Sequence, residues 1–484
     1  MFGPYEITYN GRTYHGNVTL KEHHIVERNG EHSLFLVPDM AAVPVSGALV
    51  NAMLRMLPSS GALIPDELMK ALQECGLAVR TKDSEKESTD PPAAGEMPAS
   101  SDLPVVNIAL FLTQACNMRC AYCYGNGGEY GKRGVMTLET AIAAVDWLIE
   151  NSLDEKKIHI GFFGGEPLMN FTLMRQVVAY AKEQATARGK KIVFNMTTNG
   201  SLITNKIITF MKEENIKPLI SFDGPPEIQN RQRPFKNGRG SYNRVFANIQ
   251  KLRKVFPKLV ARATVYGGSD PSAIRKGIEN AGFPDCHLSP ASPVILKGAA
   301  DRDGETTRAE AAERMLAYRR EELNRLFIAI SKRNLDPKQS KHDMIRFASL
   351  VDGRKRHAGC GIGRGLHAVA VNGDIYPCHR FVGLENVRLG DVRNYRVGGI
   401  NDYHRAVVEN LPVCRTCWAR YLCGGGCFYH NQASTGDMHR PDPLYCRETT
   451  IVAEDMIHGW RRLNEDDKNY VREQVNQIDL GLRN

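Results

Sequence analysis

The sequence predicts an α/β fold: a partial (β/α)6 TIM-like barrel between a small N-terminal winged-helix-like unit and a cysteine-rich C-terminal region. Three observations predict it. Strand-like and helix-like patterns alternate six times between residue 104 and about residue 295, as parallel βα units require. A polar stretch at 81–103, "TKDSEKESTDPPAAGEMPASSDL", detaches what precedes it. Seven cysteines crowd into residues 360–446 of a chain that has twelve in 484 residues.

Residues 1–80 open with strand-like segments, "YEITYNGRTYHGNVTL" and "HSLFLV", with Asn10-Gly11 as a hairpin turn. Two short helical patterns follow, "GALVNAMLRML" and "IPDELMKALQECGLA", and Cys75 lies on an apolar face as a packing residue. Strands followed by helices at this length fit a winged-helix-like recognition element that takes a peptide along a strand edge. A purely structural cap fits equally. After the 81–103 linker, strands read at "VVNIALFLT", "IHIGFFG", "KIVFNMTT", "PLISFD", "LVARATVY" and "CHLSPA", with helices such as "TLETAIAAVDWLIE" between them. A closed eightfold barrel needs more repeats, so 104–304 predicts an open one. Residues 305–359 read as bridging helices; the first, from Glu305 to about Asn334, is charged and carries no site motif. The cysteine-dense region spans 360–450, with short strands and turns, and a helical segment at 451–484 covers it.

Composition narrows the function classes. Apolar content of 42% and charged content of 24% are those of a globular protein. No apolar run is long enough to span a membrane, and "MFGPYEITYN" lacks a signal-peptide pattern, so the expectation is a cytoplasmic protein. In that reducing setting the cysteines are metal ligands rather than disulfides. A net charge of +9 without a dense basic block argues against a nucleic-acid partner.

The first cysteine motif is "CNMRCAYCYGNGG", with Cys116, Cys120 and Cys123 spaced C-x3-C-x2-C. A structural zinc site needs four ligands. A [4Fe–4S] cluster held by three thiolates leaves one iron open to chelate a small molecule. This spacing, Tyr122 before the last cysteine, and a place after the first strand resemble the radical S-adenosylmethionine (SAM) superfamily. The motifs that follow agree in order. "GFFGGEP" offers Gly164 and Gly165 for close backbone approach to a ligand, and Glu166 for the SAM ammonium. "TTNG" offers Asn199 for the ribose, and "SFDG" offers Ser221 and Asp223 on one strand face. Arg262 shares a face with Thr264, opposite Ala261, Ala263 and Val265, and suits a carboxylate. Singly, each motif is also a turn, a helix approach or a surface ion pair. The resemblance implies that SAM binds the open iron, and that reductive cleavage of its sulfonium bond yields a 5′-deoxyadenosyl radical. That radical takes hydrogen from an unactivated carbon. It also implies a reducing donor such as a flavodoxin or ferredoxin.

The second constellation is Cys360, Gly373 and Cys378 ("GDIYPC"), then "CRTCWARYLCGGGC", then Cys446. It resembles the SPASM domain of radical SAM peptide and protein maturases, with a double zinc ribbon as the alternative. The resemblance implies two auxiliary [4Fe–4S] clusters, three in all: Cys360, Cys378 and Cys427 on the first, and Cys414, Cys417, Cys423 and Cys446 on the second. Sulfatase-maturing relatives have an eighth cysteine where this chain has Leu366. The first auxiliary cluster then keeps an open iron for a substrate thiolate, unless His367 or His379 closes it. The resemblance therefore points to a thioether-forming maturase acting on a Cys-containing polypeptide, most similar to the maturation protein of quinohemoprotein amine dehydrogenase, then to SCIFF-type maturases. Formylglycine formation, carbon–carbon linkage, and a zinc-stabilised interaction protein are the competing expectations. Tyr266, His379, His404 and Tyr429 are weighed as proton or electron carriers against packing roles. Cys286 is assigned to packing; Arg231 and Arg233 order a loop or meet acidic substrate groups.

Overall fold

The computed structural model describes residues 4–9, 12–17, 19–54, 57–58, 66–79, 104–296, 305–335, 341–394 and 406–476. The 81–103 linker, the Asn10-Gly11 turn and His404 lie outside them. Six strands run parallel in chain order: β1 (Asn107–Thr113), β2 (Lys157–Gly164), β3 (Lys191–Thr198), β4 (Lys217–Ser221), β5 (Val260–Val265) and β6 (Asp285–Pro290). Between them lie α1 (Leu138–Asn151), α2 (Phe171–Ala187), α3 (Asn205–Glu213), α4 (Tyr242–Arg253) and α5 (Pro271–Asn280). The sequence marks several starts. The Thr137, Thr204 and Asp270 side chains accept the orphan N–H groups of α1, α3 and α5.

The expected partial barrel is present. Ile108, Leu110 and Leu112 of β1 pack into the core between sheet and helices, whereas Ala109 and Phe111 point into a second core on the other face. Burial on both faces explains why β1 reads as an uninterrupted apolar run. The same sheet also takes strands from the cysteine-dense region. β7 (Leu366–Val369) runs parallel to β1, pairing Leu366 with Asn107 through to Val369 with Leu110, and β8 (Asp374–Tyr376) and β9 (Gly390–Asp391) follow antiparallel. Strands this short carry too few residues for a readable period. The sheet order is therefore β6-β5-β4-β3-β2-β1-β7-β8-β9, with β6 on an open edge.

The bridging helices are α6 (Glu305–Ser331) and α7 (Lys341–Asp352). The final segment is two helices, α8 (Pro443–Arg462) and α9 (Glu465–Asn476). α8 lies along α6, tied by Arg320–Asp455 at 2.6 Å and Arg308–Asp442 at 3.0 Å. No described helix is long and apolar enough to cross a membrane.

In the N-terminal part, strands His23–Arg28, Glu31–Leu36 and Ala41–Val45 form an antiparallel sheet. Val26, Phe35 and Met40 from this sheet region enter the second core. His24 stacks on Trp418, 3.9 Å between ring centres, and Arg28 meets Glu454 at 2.6 Å. Cys75 packs with Leu72 and Leu77, the expected structural role.

Phe162, fully buried and stacked on Phe194 at 5.8 Å, joins β2 and β3. We expect Phe162→Ala to cost about 3–5 kcal/mol. Anaerobic denaturant unfolding measures it; a loss below about 1 kcal/mol would contradict this packing.

Candidate metal and cofactor site

The cysteine motif occupies the loop after β1, at the C-terminal end of the parallel strands, where barrel sites form. The loop is held by backbone. Arg119 N–H reaches Pro234 O at 2.9 Å, and Ala121 N–H reaches Gln232 O at 2.9 Å. Buried Gln114 clamps the loop's far end, donating from Nε2 to Lys132 O at 2.8 Å and to Glu129 O at 3.1 Å.

The "GGEP" turn after β2 has a different local reason from the one expected. A Cβ on Gly165 would stand 2.1 Å from Ala115 O, and one on Gly164 would stand 2.2 Å from Thr113 O. The close approach is to the cysteine loop's own backbone, sealed by Gly165 N–H to Thr113 O and Glu166 N–H to Ala115 O, each 2.9 Å. Glu166 is fully buried. Its carboxylate accepts Thr198 Oγ1–H (2.8 Å), Asn199 N–H (2.7 Å) and Leu168 N–H (3.1 Å). Burial raises its pKa to about 7 against the pull of these three donors. It ties the β2 and β3 turns together as a strut.

Cys116, Cys120, Cys123, Gly164, Gly165, Glu166, Asn199, Ser221 and Arg262 line one cavity of about 160 Å³, joined by Tyr122. Asn199 also braces the loop: its Nδ2 donates to Asn117 Oδ1 at 2.9 Å. Asp223 is placed differently from the sequence expectation. It is buried behind the cavity wall, accepting from Tyr122 Oη–H at 2.6 Å and Thr264 N–H at 3.0 Å, and pairing with Arg233 Nε at 3.0 Å. Asp223 therefore positions Tyr122, and Arg233 is spent on it rather than held for a substrate. Arg231 donates to Ser269 Oγ at 2.8 Å, which orders the loop as expected. Among the described residues no carboxylate forms an ion pair with Arg262. Burial and nearby Arg380 pull its pKa down.

The C-terminal cysteines fall into two sets. Gly424, Gly425 and Gly426 all have positive φ, which is why "CGGGC" needs three glycines. Residues 358–359 lie against this turn: a Cβ on Gly359 would stand 2.6 Å from Gly426 O. This brings Cys360 to Cys427, with Cys378 alongside; burial first, and then the neighbouring sulfurs, raise the pKa of Cys360 and of Cys378. Cys414, Cys417, Cys423 and Cys446 form the other set, mutually repelling as thiolates. Burial pushes Cys116, Cys120, Cys378, Cys414 and Cys446 up to about 12. Thiols so placed lose their protons only to a strong cation. Among the described residues, no three His, Cys, Asp or Glu side chains converge tightly enough for a single metal ion. Sets of three and four thiols are donors of the kind that a cubane accepts on separate corners.

Two histidines were candidates to complete the Cys360 set. His367 points the other way, its ring edge-on to Trp147 of α1 at 5.7 Å, because β7 alternates and Ala368 takes the second core. His379 stands beside Cys378, Nδ1 to Sγ 3.6 Å, and burial holds it neutral. Tyr429 packs edge-on against Tyr124 and Phe381.

A larger cavity of about 800 Å³ adjoins, sharing Tyr122, Arg262, Ser289, Pro290 and Ser292 with the smaller one. Tyr266, Cys286 and Cys427 line it. Cys286 also packs against the sheet–helix core, as expected. Sequence reasoning missed Arg380 and His430, whose side chains lie 3.3 Å apart at this junction. Only the placement of Arg380 directly after His379 hinted at them.

Gly165→Ala should unseat the cysteine loop. Anaerobic iron content should fall by about four irons per chain; full retention would refute the close-packing argument. Arg233→Met strands the Asp223 charge and should cost about 3–5 kcal/mol in unfolding free energy.

Residues 110–279 match the family model "Radical SAM superfamily". The serine-type anaerobic sulfatase-maturating enzyme of Bacteroides thetaiotaomicron is 25% identical over 360 residues, 66% of this chain and 82% of that protein. The radical SAM cyclopropyl synthase TigE of Paramaledivibacter caminithermalis is 31% identical over 160 residues, 30% of this chain and 32% of that protein. The chain thus spans less than half the length of the first curated relatives it matches. In fold, native anSMEcpe with bound AdoMet superposes with a TM-score of 0.61 at 18% identity, covering 77% of this chain and 100% of that one. With the cysteine loop, the glycine-glycine-glutamate turn and the open barrel all in place, residues 110–279 carry a radical SAM domain.

Proposed function

We propose that the chain is a radical SAM maturase that joins a cysteine sulfur to a carbon of the same ribosomally made polypeptide, forming a thioether. The observation that carries this reading is the Cys360–Cys378–Cys427 set. It contains three cysteines, and Cys427 lines the large cavity that opens onto the Cys116–Cys120–Cys123 site. Leu366 stands where sulfatase-maturing relatives carry a further cysteine, and His367 turns away to Trp147.

Cys116, Cys120 and Cys123 would hold the [4Fe–4S] cluster whose electron activates SAM. Cys360, Cys378 and Cys427 would hold a first auxiliary cluster, and Cys414, Cys417, Cys423 and Cys446 a second. The chain's own residues frame the cofactor. Gly164, Gly165 and Glu166 fix the turn beside it; Asn199 and Ser221 offer polar contacts; Arg262 gives a buried cation for its carboxylate. Tyr122, held by Asp223, borders both cavities and sets the wall between cofactor and substrate. Tyr124, Phe163 and Tyr130 exclude water on the other side.

A peptide substrate is supported by a structural neighbour, native anSMEcpe with bound AdoMet and Cp18Cys peptide, and the large cavity would receive it. The N-terminal sheet, which stacks His24 on Trp418, would hold part of such a polypeptide as a recognition element. Within the thioether-forming group, the motifs resemble those of the maturation protein of quinohemoprotein amine dehydrogenase and of SCIFF-type maturases. The reducing donor is of the flavodoxin or ferredoxin kind, and the setting is the cytoplasm.

The alignment to a sulfatase-maturating enzyme favours a second reading, oxidation of a substrate residue to an aldehyde. Leu366 counts against it. Anaerobic co-expression with each small Cys-containing polypeptide encoded beside the chain, followed by thiol alkylation and fragmentation mass spectrometry, decides. The expected product has lost two hydrogens and one alkylatable thiol per link. An aldehyde, or unchanged thiols throughout, would defeat the thioether reading.

A further inference from the structure

Among the described residues no strand pairs with the far side of β6, which is one of the two edges of the sheet. It pairs with β5 in parallel, Val260 opposite Asp285 through Val265 opposite Pro290. Ala291 N–H donates to Val265 O at 3.0 Å. Backbone groups alternate along a strand. The odd-numbered residues of β6 therefore turn their N–H and C=O toward β5. Cys286 and Leu288 turn theirs outward, and Pro290 turns out only a carbonyl. Pro290, having no N–H, is tolerated there because nothing across that edge in the sheet needs its donor.

The large cavity runs along this edge. Its lining includes Cys286 and Leu288, whose side chains belong to the helix-side face with Ala261 and Ala263. It also includes His287 and Ser289, which lie opposite Arg262 and Thr264 on the inner face. A cavity lined from both faces of one strand wraps that strand's free edge. The far wall is α6, where Ala311 and Ala312 leave room, and the start of α8 at Leu444. At its inner end the cavity meets the cysteine site at Tyr122 and Arg262.

We propose that an extended segment of the polypeptide substrate pairs with β6 as an added strand. Its backbone would bond the outward amides and carbonyls of Cys286 and Leu288 and the carbonyl of Pro290. Side chains of the added strand alternate, one set toward Arg262, His287 and Ser289, the other toward α6. Pairing along the main chain fixes the depth of the segment and delivers the residues beyond it to the junction. Recognition by backbone tolerates varied side chains but rejects proline at a paired position. This deepens the maturase reading and rests on it.

The test uses the polypeptide that the full-length wild-type enzyme modifies in the co-expression experiment. Amide hydrogen exchange of the holoenzyme, read by mass spectrometry with and without that polypeptide, should show added protection within 285–290 of about tenfold or more. Leu288→Pro deletes an outward donor and spares the ladder to β5, whereas Leu288→Ala removes only the side chain. Leu288→Pro should show a KM for the polypeptide about tenfold above that of Leu288→Ala. Unchanged exchange at 285–290 under conditions of full modification would overturn strand addition and leave the maturase reading standing. A wild-type enzyme that releases no deoxyadenosine and modifies no polypeptide would overturn both.

Discussion

Backbone lies directly on backbone where the turn after β2 meets the loop after β1, and the site depends on that contact. Two consecutive residues without side chains let the carbonyls of Thr113 and Ala115 come within about 2 Å of where a Cβ would sit. The amides of Gly165 and Glu166 then close onto those same carbonyls. The cysteine loop is thereby anchored from within the sheet by its backbone, in addition to the packing of Met118 in the core. Glu166 extends the anchor sideways. A buried carboxylate saturated by three donors cannot rotate without leaving one of them unpaired, so the β2 and β3 turns move together. Asn199 and Gln114 carry the same bracing outward to Asn117 and Lys132. Three thiols can share one cubane only if their loop is fixed this firmly.

The same device recurs at the other cysteines. The three left-handed glycines of "CGGGC" fold the chain back so that the segment before Cys360 lies on the turn before Cys427. Residues separated by 67 positions in sequence thus join one set of thiols. β7 then joins the barrel sheet beside β1, so the second cysteine region is continuous with the first through the sheet itself. Nearby charge follows from this closeness. Arg262 and Arg380 lie half-buried at the junction of the two cavities, where an anionic cofactor group and thiolates would offset them.

Much of this was readable from sequence. Strands β1, β2, β3 and β5 were legible because each buries both faces or most of one, which leaves an apolar run or alternation, whereas β4 and β6 were legible from their place in the βα order. The cofactor motifs were legible because each falls at a strand end, and parallel strands gather their C-terminal ends at one rim. The roles within the motifs were less so. Asp223 reads as a ligand residue in "SFDG", yet folding sets Arg233 and Tyr122 against it from two other loops. Arg233 reads as a residue that orders its loop or meets acidic substrate groups, and only the fold shows that it pairs with Asp223. His367 reads as a possible ligand, but the alternation of a four-residue strand sends it to Trp147.

By itself, the sequence determined the fold class, the order of βα units, the three cysteine sets and the glycines that make their turns. These follow from local periodicity, from fixed spacing and from backbone conformations that only glycine adopts cheaply. Tertiary structure alone decided which polar residues face the cavity and which are spent on one another. It also decided that β7 closes one edge of the sheet, and that β6 is left open along a cavity continuous with the cysteine site. The physical reason is range: ion pairs such as Asp223–Arg233 and the exposure of a strand edge depend on neighbours supplied from elsewhere in the chain, and no local pattern encodes them.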